Sequence, residues 1–84
     1  MLILCDFERL STADAVYDYL SEELSFPLYF GRNLDALHDC LTDIGAPTRF
    51  ILTGTDSPCG QHFLRVFKDA AKRNRCLSVE MHEG

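Results

Sequence analysis

Apolar residues along the chain follow two spacings, one typical of β-strands and one typical of helices. Residues 2–7 (LILCDF) and residues 48–53 (TRFILT) are short apolar runs, which predict two buried strands. Residues 76–82 (CLSVEMH) alternate between apolar and polar positions, which predicts a third strand with one face partly exposed to water. The apolar face of this third strand comprises Leu77, Val79 and Met81.

A first helix is predicted after the first strand, from about residue 12 to residue 24. Ser11 or Thr12 is a suitable N-cap, and Pro27 prevents the helix from continuing. The loop that follows, residues 25–32, contains four large apolar side chains, namely Phe26, Leu28, Tyr29 and Phe30. Such a loop either packs onto the core or forms a contact surface, and the sequence leaves both interpretations open.

Two further helices complete the predicted elements. The second helix, residues 34–44, follows Asn33, a strong N-cap, and Pro47 lies just beyond its end. The third helix begins at Pro58, which suits the first helical position, and ends near residue 73. Both helices have an apolar face of helical spacing, so both are expected to pack against a core.

The resulting order, β-α-α-β-α-β, predicts an α/β protein with a three-stranded parallel sheet packed with helices. A chain of 84 residues suffices for one small domain, so we expect residues 1–84 to form a single domain. No apolar run approaches the roughly 18 residues that cross a membrane, and the N-terminus has no basic region typical of a signal peptide. We therefore expect a cytoplasmic protein.

The second helix raises a question, because Asp35, Asp39 and Asp43 recur at every fourth position with no base between them. Each such like-charge pair destabilises a helix by about 0.2–0.5 kcal/mol, so folding does not explain the pattern. Three carboxylates spread over about 12 Å of helix rise are too far apart to share one metal ion. A solvated helix face and a docking face for a basic groove both remain open, and the second fits the unmixed charge better.

Charge is distributed unevenly along the chain, whose net charge is −5. Residues 1–47 contain nine acids and two bases, a balance of −7, and residues 48–84 contain four acids and six bases, a balance of +2. The acidic part argues against direct binding of nucleic acid and favours a basic protein partner, although acidity also serves solubility alone. We expect a monomer.

The four cysteines show no CxxC or CxxH spacing, which argues against a zinc site. In the cytoplasm we expect all four to be free thiols, with Cys5 and Cys40 acting as small core residues. No motif typical of a catalytic or phosphate-binding site is present, so we expect no metal and no cofactor.

Residues 29–42, YFGRNLDALHDCLT, closely resemble the core motif of the barstar family, which reads YYG-x-NLDALWDCLT. The tail FLRVFKDAAKRNRC also resembles the last helix of that family, whose members inhibit the ribonuclease barnase. The resemblance implies the β-α-α-β-α-β fold and an inhibitor of a ribonuclease without enzymatic activity of its own. It also implies a cis Ala46–Pro47 peptide bond.

The resemblance further implies how a ribonuclease would be bound. The loop and the second helix would enter the active site, with Asp39 in the place of an RNA phosphate. Asp35 would reach the basic rim, and Tyr29 would stack beside the catalytic histidine. The implied partner-binding set comprises Tyr29, Phe30, Asn33, Leu34, Asp35, His38, Asp39, Thr42, Asp43 and, as a rim acid in the third helix, Asp69.

This sequence departs from the family pattern at several contact positions. His38 stands in place of a tryptophan, Arg32 in place of an acid, and Asp43 in place of a glycine. A different ribonuclease, or a basic partner that is not a nuclease, therefore remains an alternative. We expect protonation of His38, beside Asp35 and Asp39, to weaken binding of a basic partner, unless His38 is merely a solvated residue on the flank of the helix.

Overall fold

The computed structural model describes residues 1–27 and 30–82. Three strands and three helices occur in the expected order: β1 (Leu2–Asp6), α1 (Ala13–Glu23), α2 (Leu34–Thr42), β2 (Thr48–Thr53), α3 (Pro58–Arg73) and β3 (Leu77–Met81). Helix α2 ends two residues earlier than the apolar pattern predicts. Its C-cap is Asp43, whose backbone N–H still donates to the carbonyl of Asp39.

The three strands form one parallel sheet in the order β1-β2-β3, so β2 is the central strand. Parallel neighbours require crossover connections, which α1 and α2 together provide between β1 and β2, and α3 provides between β2 and β3. The α/β class and the element order predicted from the sequence are thus confirmed.

The core lies between the helices and one face of the sheet. Its largest fully buried side chains are Phe7, Phe50, Phe63, Phe67, Ile3, Leu20, Leu37, Leu41, Leu52, Val16 and Cys5. The opposite face of β1 is open, because Leu2 and Leu4 are each 56 % exposed. Met81 is 48 % exposed at the end of β3, so the buried face predicted for that strand stops short of it.

The peptide bond between Ala46 and Pro47 is trans, so the expectation of a cis bond is wrong. Contacts hold both neighbouring carbonyls: the N-terminal amine of Met1 donates to Pro47 O at 2.8 Å, and Thr48 Oγ1 donates to Ala46 O at 3.0 Å. With this geometry Thr48 N also reaches the carbonyl of Cys76 at 2.7 Å. The trans form, which most X–Pro bonds adopt, therefore leads the chain directly into the sheet.

Asn74 joins the ends of α2, α3 and β3. Its side-chain Nδ2 donates to the carbonyls of Leu41 at 3.0 Å, Thr42 at 3.2 Å and Ile44 at 2.8 Å, and its Oδ1 accepts from Cys76 N at 2.9 Å. The last carbonyls of a helix have no partner within the helix, and this one buried amide bonds the last two of α2, those of Leu41 and Thr42. It also fixes the end of α2 against the end of α3.

We predict that Asn74→Ala lowers the free energy of unfolding by about 2–4 kcal/mol, because it removes the donor to the partly buried carbonyls of Thr42 and Ile44 and the acceptor of Cys76 N. Urea denaturation measures this change. Gln61→Ala is the matched control, since its amide makes one bond, to Asp56 O at 3.0 Å, on the surface. The control is expected to change stability by less than about 0.5 kcal/mol, and equal losses in the two variants would contradict the role of Asn74.

All four cysteines are free, as expected, and Cys5 lies fully in the core while Cys40 is only partly buried. Burial raises the pKa of the Cys5 thiol to about 12. Because only the thiolate reacts with alkylating agents, Cys5 should be the last cysteine modified by iodoacetamide in the folded protein. Peptide mass spectrometry over a time course measures this order, and labelling of Cys5 as fast as Cys76 would contradict it.

Candidate partner-binding face

The carboxylates of Asp35, Asp39 and Asp43 form one exposed surface of α2, which we call the acidic face. It points away from Leu37 and Leu41, which are both fully buried. Within residues 1–27 and 30–82, no basic side chain lies within 4.0 Å of any of these three carboxylates. The structure therefore presents the three acids together and without internal compensation.

The start of α2 is held by its N-cap. Asn33 Oδ1 accepts from Ala36 N at 2.8 Å, and Asn33 Nδ2 donates back to Gly31 O at 3.2 Å. Asp35 lies in the first turn, where the positive end of the helix dipole favours a carboxylate. Leu34 packs partly against the core, which fixes the rotation of this turn.

Thr42, at the other end of α2, uses its hydroxyl within the helix. Its Oγ1 donates to the carbonyl of Asp39 at 3.0 Å, a bond that threonine often makes to the preceding turn. The hydroxyl oxygen can still accept a hydrogen bond from a partner. The implied role of Thr42 as a hydrogen-bonding contact is therefore compatible with its position, as an acceptor.

The described part of the apolar loop packs onto the core. The ring of Phe30 lies 5.7 Å from that of Tyr17 and 5.0 Å from that of Phe26. Core packing is thus confirmed for Phe26 and Phe30, which are both partly buried. Leu28 and Tyr29 lie outside the described residues.

Arg32 fastens this loop to α1. Its guanidinium donates to Asp18 Oδ1 at 2.8 Å and to Asp14 Oδ1 at 3.3 Å, and it lies 5.8 Å above the ring of Tyr17. Its φ of 53° is in the left-handed region, so these contacts hold the backbone in a conformation that a non-glycine residue rarely adopts. Arg32 therefore compensates two acids of α1 and leaves those of α2 unpaired.

His38 is bonded to a carboxylate on another helix. Its Nε2 lies 2.7 Å from Asp69 Oδ2 on α3, and Arg73 Nε donates to the same oxygen at 3.2 Å. The hydrogen bond from His38, together with Arg73, holds the pKa of the Asp69 carboxyl below its ordinary value. The His38 side chain is 27 % exposed, so His38 is not a freely solvated flank residue, and its bonded acid is Asp69 instead of Asp35 or Asp39.

A shallow cavity of about 450 Å³ lies along the groove between α2 and α3. Its lining comprises Leu34, Asp35, His38, Arg65, Val66 and Asp69. The structure thus brings four of the expected contact residues, three from α2 and Asp69 from α3, to one groove beside the acidic face. Sequence analysis did not identify the bonds of Arg32 and His38. The bond of Arg32 has one sequence signal, the spacing of Asp14 and Asp18 on one face of α1, and the bond of His38 has none.

Neither a metal-binding cluster nor a membrane-spanning helix is found among the described residues. In the part of the chain that the structure describes, no group of three or more His, Cys, Asp or Glu side chains is arranged to hold a metal ion. No helix among the same residues is long and apolar enough to cross a membrane. A cavity of about 610 Å³ lies beside β1, where Leu4 and Tyr19 are among its lining residues, away from the acidic face.

Comparison with known proteins identifies the family. The Bacillus subtilis (strain 168) protein "Putative ribonuclease inhibitor YrdF" is 54 % identical over 37 residues, which cover 44 % of this chain and only 37 % of that relative. A family model described as "Barstar (barnase inhibitor)" matches residues 1–82, almost the whole chain. This match agrees with the three-stranded parallel sheet and its three helices. The chain therefore belongs to the barstar family.

Proposed function

We propose that this protein is an intracellular inhibitor of a basic ribonuclease, which it blocks by placing the acidic face and the adjoining loop in the RNA-binding cleft. The observation that carries the proposal is the acidic face itself. Its three carboxylates have no basic partner among the described residues, in a member of a family described as a barnase inhibitor. The four free thiols agree with a reducing compartment.

In the proposed inhibition, a carboxylate of this protein takes the place of an RNA phosphate. A cleft that binds RNA holds cations for phosphate groups, and a carboxylate can accept hydrogen bonds from the same cations. Asp39 is the central acid, with about 6 Å of helix rise to Asp35 on one side and to Asp43 on the other. Water is excluded most completely at the centre of an interface, so the proposal assigns Asp39 to the phosphate site.

The remaining contacts surround this central acid. The proposal assigns Asp35 to the basic rim and Thr42 to a bond in which its hydroxyl oxygen accepts. Phe30, the backbone at Asn33 and Leu34, His38 and Asp43 flank them, and Tyr29 is retained from the family pattern. Because Asn33, Arg32 and the core already hold α2 and the loop, little conformational entropy is lost on binding.

The proposal also holds that the chain has no catalytic activity of its own. His38 and Asp69 form a histidine–carboxylate pair, an arrangement that orients a general base in some hydrolases. In those hydrolases the base activates a serine or cysteine side chain, and among the described hydrogen bonds no serine, threonine or cysteine side chain reaches His38. The pair is therefore assigned a structural and electrostatic role.

The direct test is inhibition of barnase, the nuclease in the family's description. We expect stoichiometric loss of RNA cleavage when the protein is added to barnase, and no cleavage of RNA by the protein alone. Cytochrome c, a basic protein without nuclease activity, serves as the control partner and should not bind with comparable affinity. Undiminished barnase activity in excess protein would overturn the proposal, and tight binding of cytochrome c would indicate a general binder of basic proteins.

We predict that Asp39→Asn weakens binding to barnase by about 2 kcal/mol or more, roughly 30-fold, because it leaves several desolvated cations of the nuclease without a counter-charge. Asp43→Asn, at the end of the same row, should cost less than about 1 kcal/mol. Isothermal titration calorimetry measures both affinities.

Thermal melting of the two variants provides the control for folding. Each substitution removes a like-charge repulsion, so neither should lower the melting temperature. Equal losses of affinity in Asp39→Asn and Asp43→Asn would contradict the assignment of Asp39 to the centre of the interface. Marked unfolding of Asp39→Asn would instead assign that residue a structural role.

A further inference from the structure

Helix α3 bears a row of exposed bases beside the acidic face. Arg65, Lys68 and Lys72 recur at helical spacing on its outer surface, and we call them the basic ridge. Within residues 1–27 and 30–82, no carboxylate lies within 4.0 Å of their charged groups. A protein of net charge −5 therefore presents an uncompensated positive surface, which the inhibitory face does not use.

The sign of the surface charge changes across one groove. The acidic face contributes −3, while α3 contains four bases and one acid, a balance of +3. Asp35 and Arg65 both line the cavity of about 450 Å³ between the two helices. At the same place Asp69 is bonded to His38 at 2.7 Å and to Arg73 at 3.2 Å, so its charge is already compensated within the chain.

We propose that the basic ridge is a repulsive border, which confines a basic partner to the α2 side of the groove and thereby fixes its orientation on the acidic face. This inference rests on the proposed function and names the kind of nuclease that fits. Its cationic cleft extends over no more than the roughly 12 Å of the aspartate row, so none of its cations has to lie against α3. Asp69, whose charge His38 and Arg73 already compensate, adds little to affinity.

The physical argument is the repulsion between like charges at an interface. Like charges brought together there cost several kcal/mol, so they exclude orientations that attractive contacts alone would allow. A basic partner displaced towards α3 would lose contacts to Asp39 and approach Lys68 and Lys72. The same field acts over the Debye length of about 10 Å in dilute salt, so it also retards encounters on the wrong side of the groove.

The test measures association with a catalytically inactive barnase variant by stopped flow at about 0.1 M ionic strength, where screening limits charge effects to about 10 Å. Lys68→Gln/Lys72→Gln removes two charges of the border, and we expect its association rate constant to rise by about 3- to 10-fold. The control is Arg9→Gln/Arg49→Gln, which makes the same change in net charge near the open face of the sheet, where Arg49 is bonded to Glu80. Its association rate should rise by less than about twofold, since the same change in net charge is made away from the partner.

Two affinity measurements complete the design. Asp69→Asn should change the dissociation constant by less than about 3-fold, whereas Asp39→Asn should raise it by roughly 30-fold or more. The proposed repulsive border would be contradicted if Lys68→Gln/Lys72→Gln associated more slowly than the unaltered protein, or no faster than the control. It would also be contradicted if Asp69→Asn lost nearly as much affinity as Asp39→Asn.

Failure of the proposed function is distinguishable from failure of the border. If the unaltered protein does not bind barnase, or if Asp39→Asn binds as tightly, the proposed function is overturned and the border with it. If Asp39→Asn loses affinity while the ridge and Asp69 variants behave contrary to expectation, only the border is overturned. Thermal melting of each variant confirms that it is folded before its binding is compared.

Discussion

The buried amide of Asn74 holds the C-terminal end of helix α2 against α3, and the presentation of the acidic face depends on that contact. Helix α2 has nine residues, fewer than an isolated helix needs to be stable in water, and it carries like charges at four-residue spacing. Asp43 lies at the negative end of the helix dipole, which repels its carboxylate and destabilises the helix further. Asn74 at one end, the Asn33 cap at the other and the buried leucines between them offset these costs.

The same anchors explain why the helix can serve as a binding element. A row of carboxylates attracts cations best when it is held rigidly, because little side-chain and backbone entropy is then lost on association. Arg32 contributes by compensating Asp14 and Asp18 on α1, and Arg73 by compensating Asp69 on α3. The three acids of the acidic face thereby remain uncompensated, with the basic ridge as their border.

Sequence analysis predicted the element order, the parallel sheet, the Asn33 cap and the start of α3 at Pro58, because local spacing and capping chemistry determine them. It did not predict the bonds of Arg32 to Asp18, His38 to Asp69 and Asn74 to Leu41, which join residues 14, 31 and 33 positions apart. Such contacts arise only when helices pack. The cis bond that the resemblance implied for Ala46–Pro47 is wrong, since this peptide bond is trans.

The most direct test of the account is the footprint of barnase on the protein, measured by amide chemical-shift changes in two-dimensional NMR. The account predicts that the largest changes fall on residues 30–43, centred on Asp39, and that they stop at the groove before Lys68 and Lys72. Amides of β1 on the open face of the sheet, at Leu2 and Leu4, should remain unchanged. A footprint centred on that open face or on α3, with α2 unaffected, would contradict the central claim that the acidic face binds the nuclease.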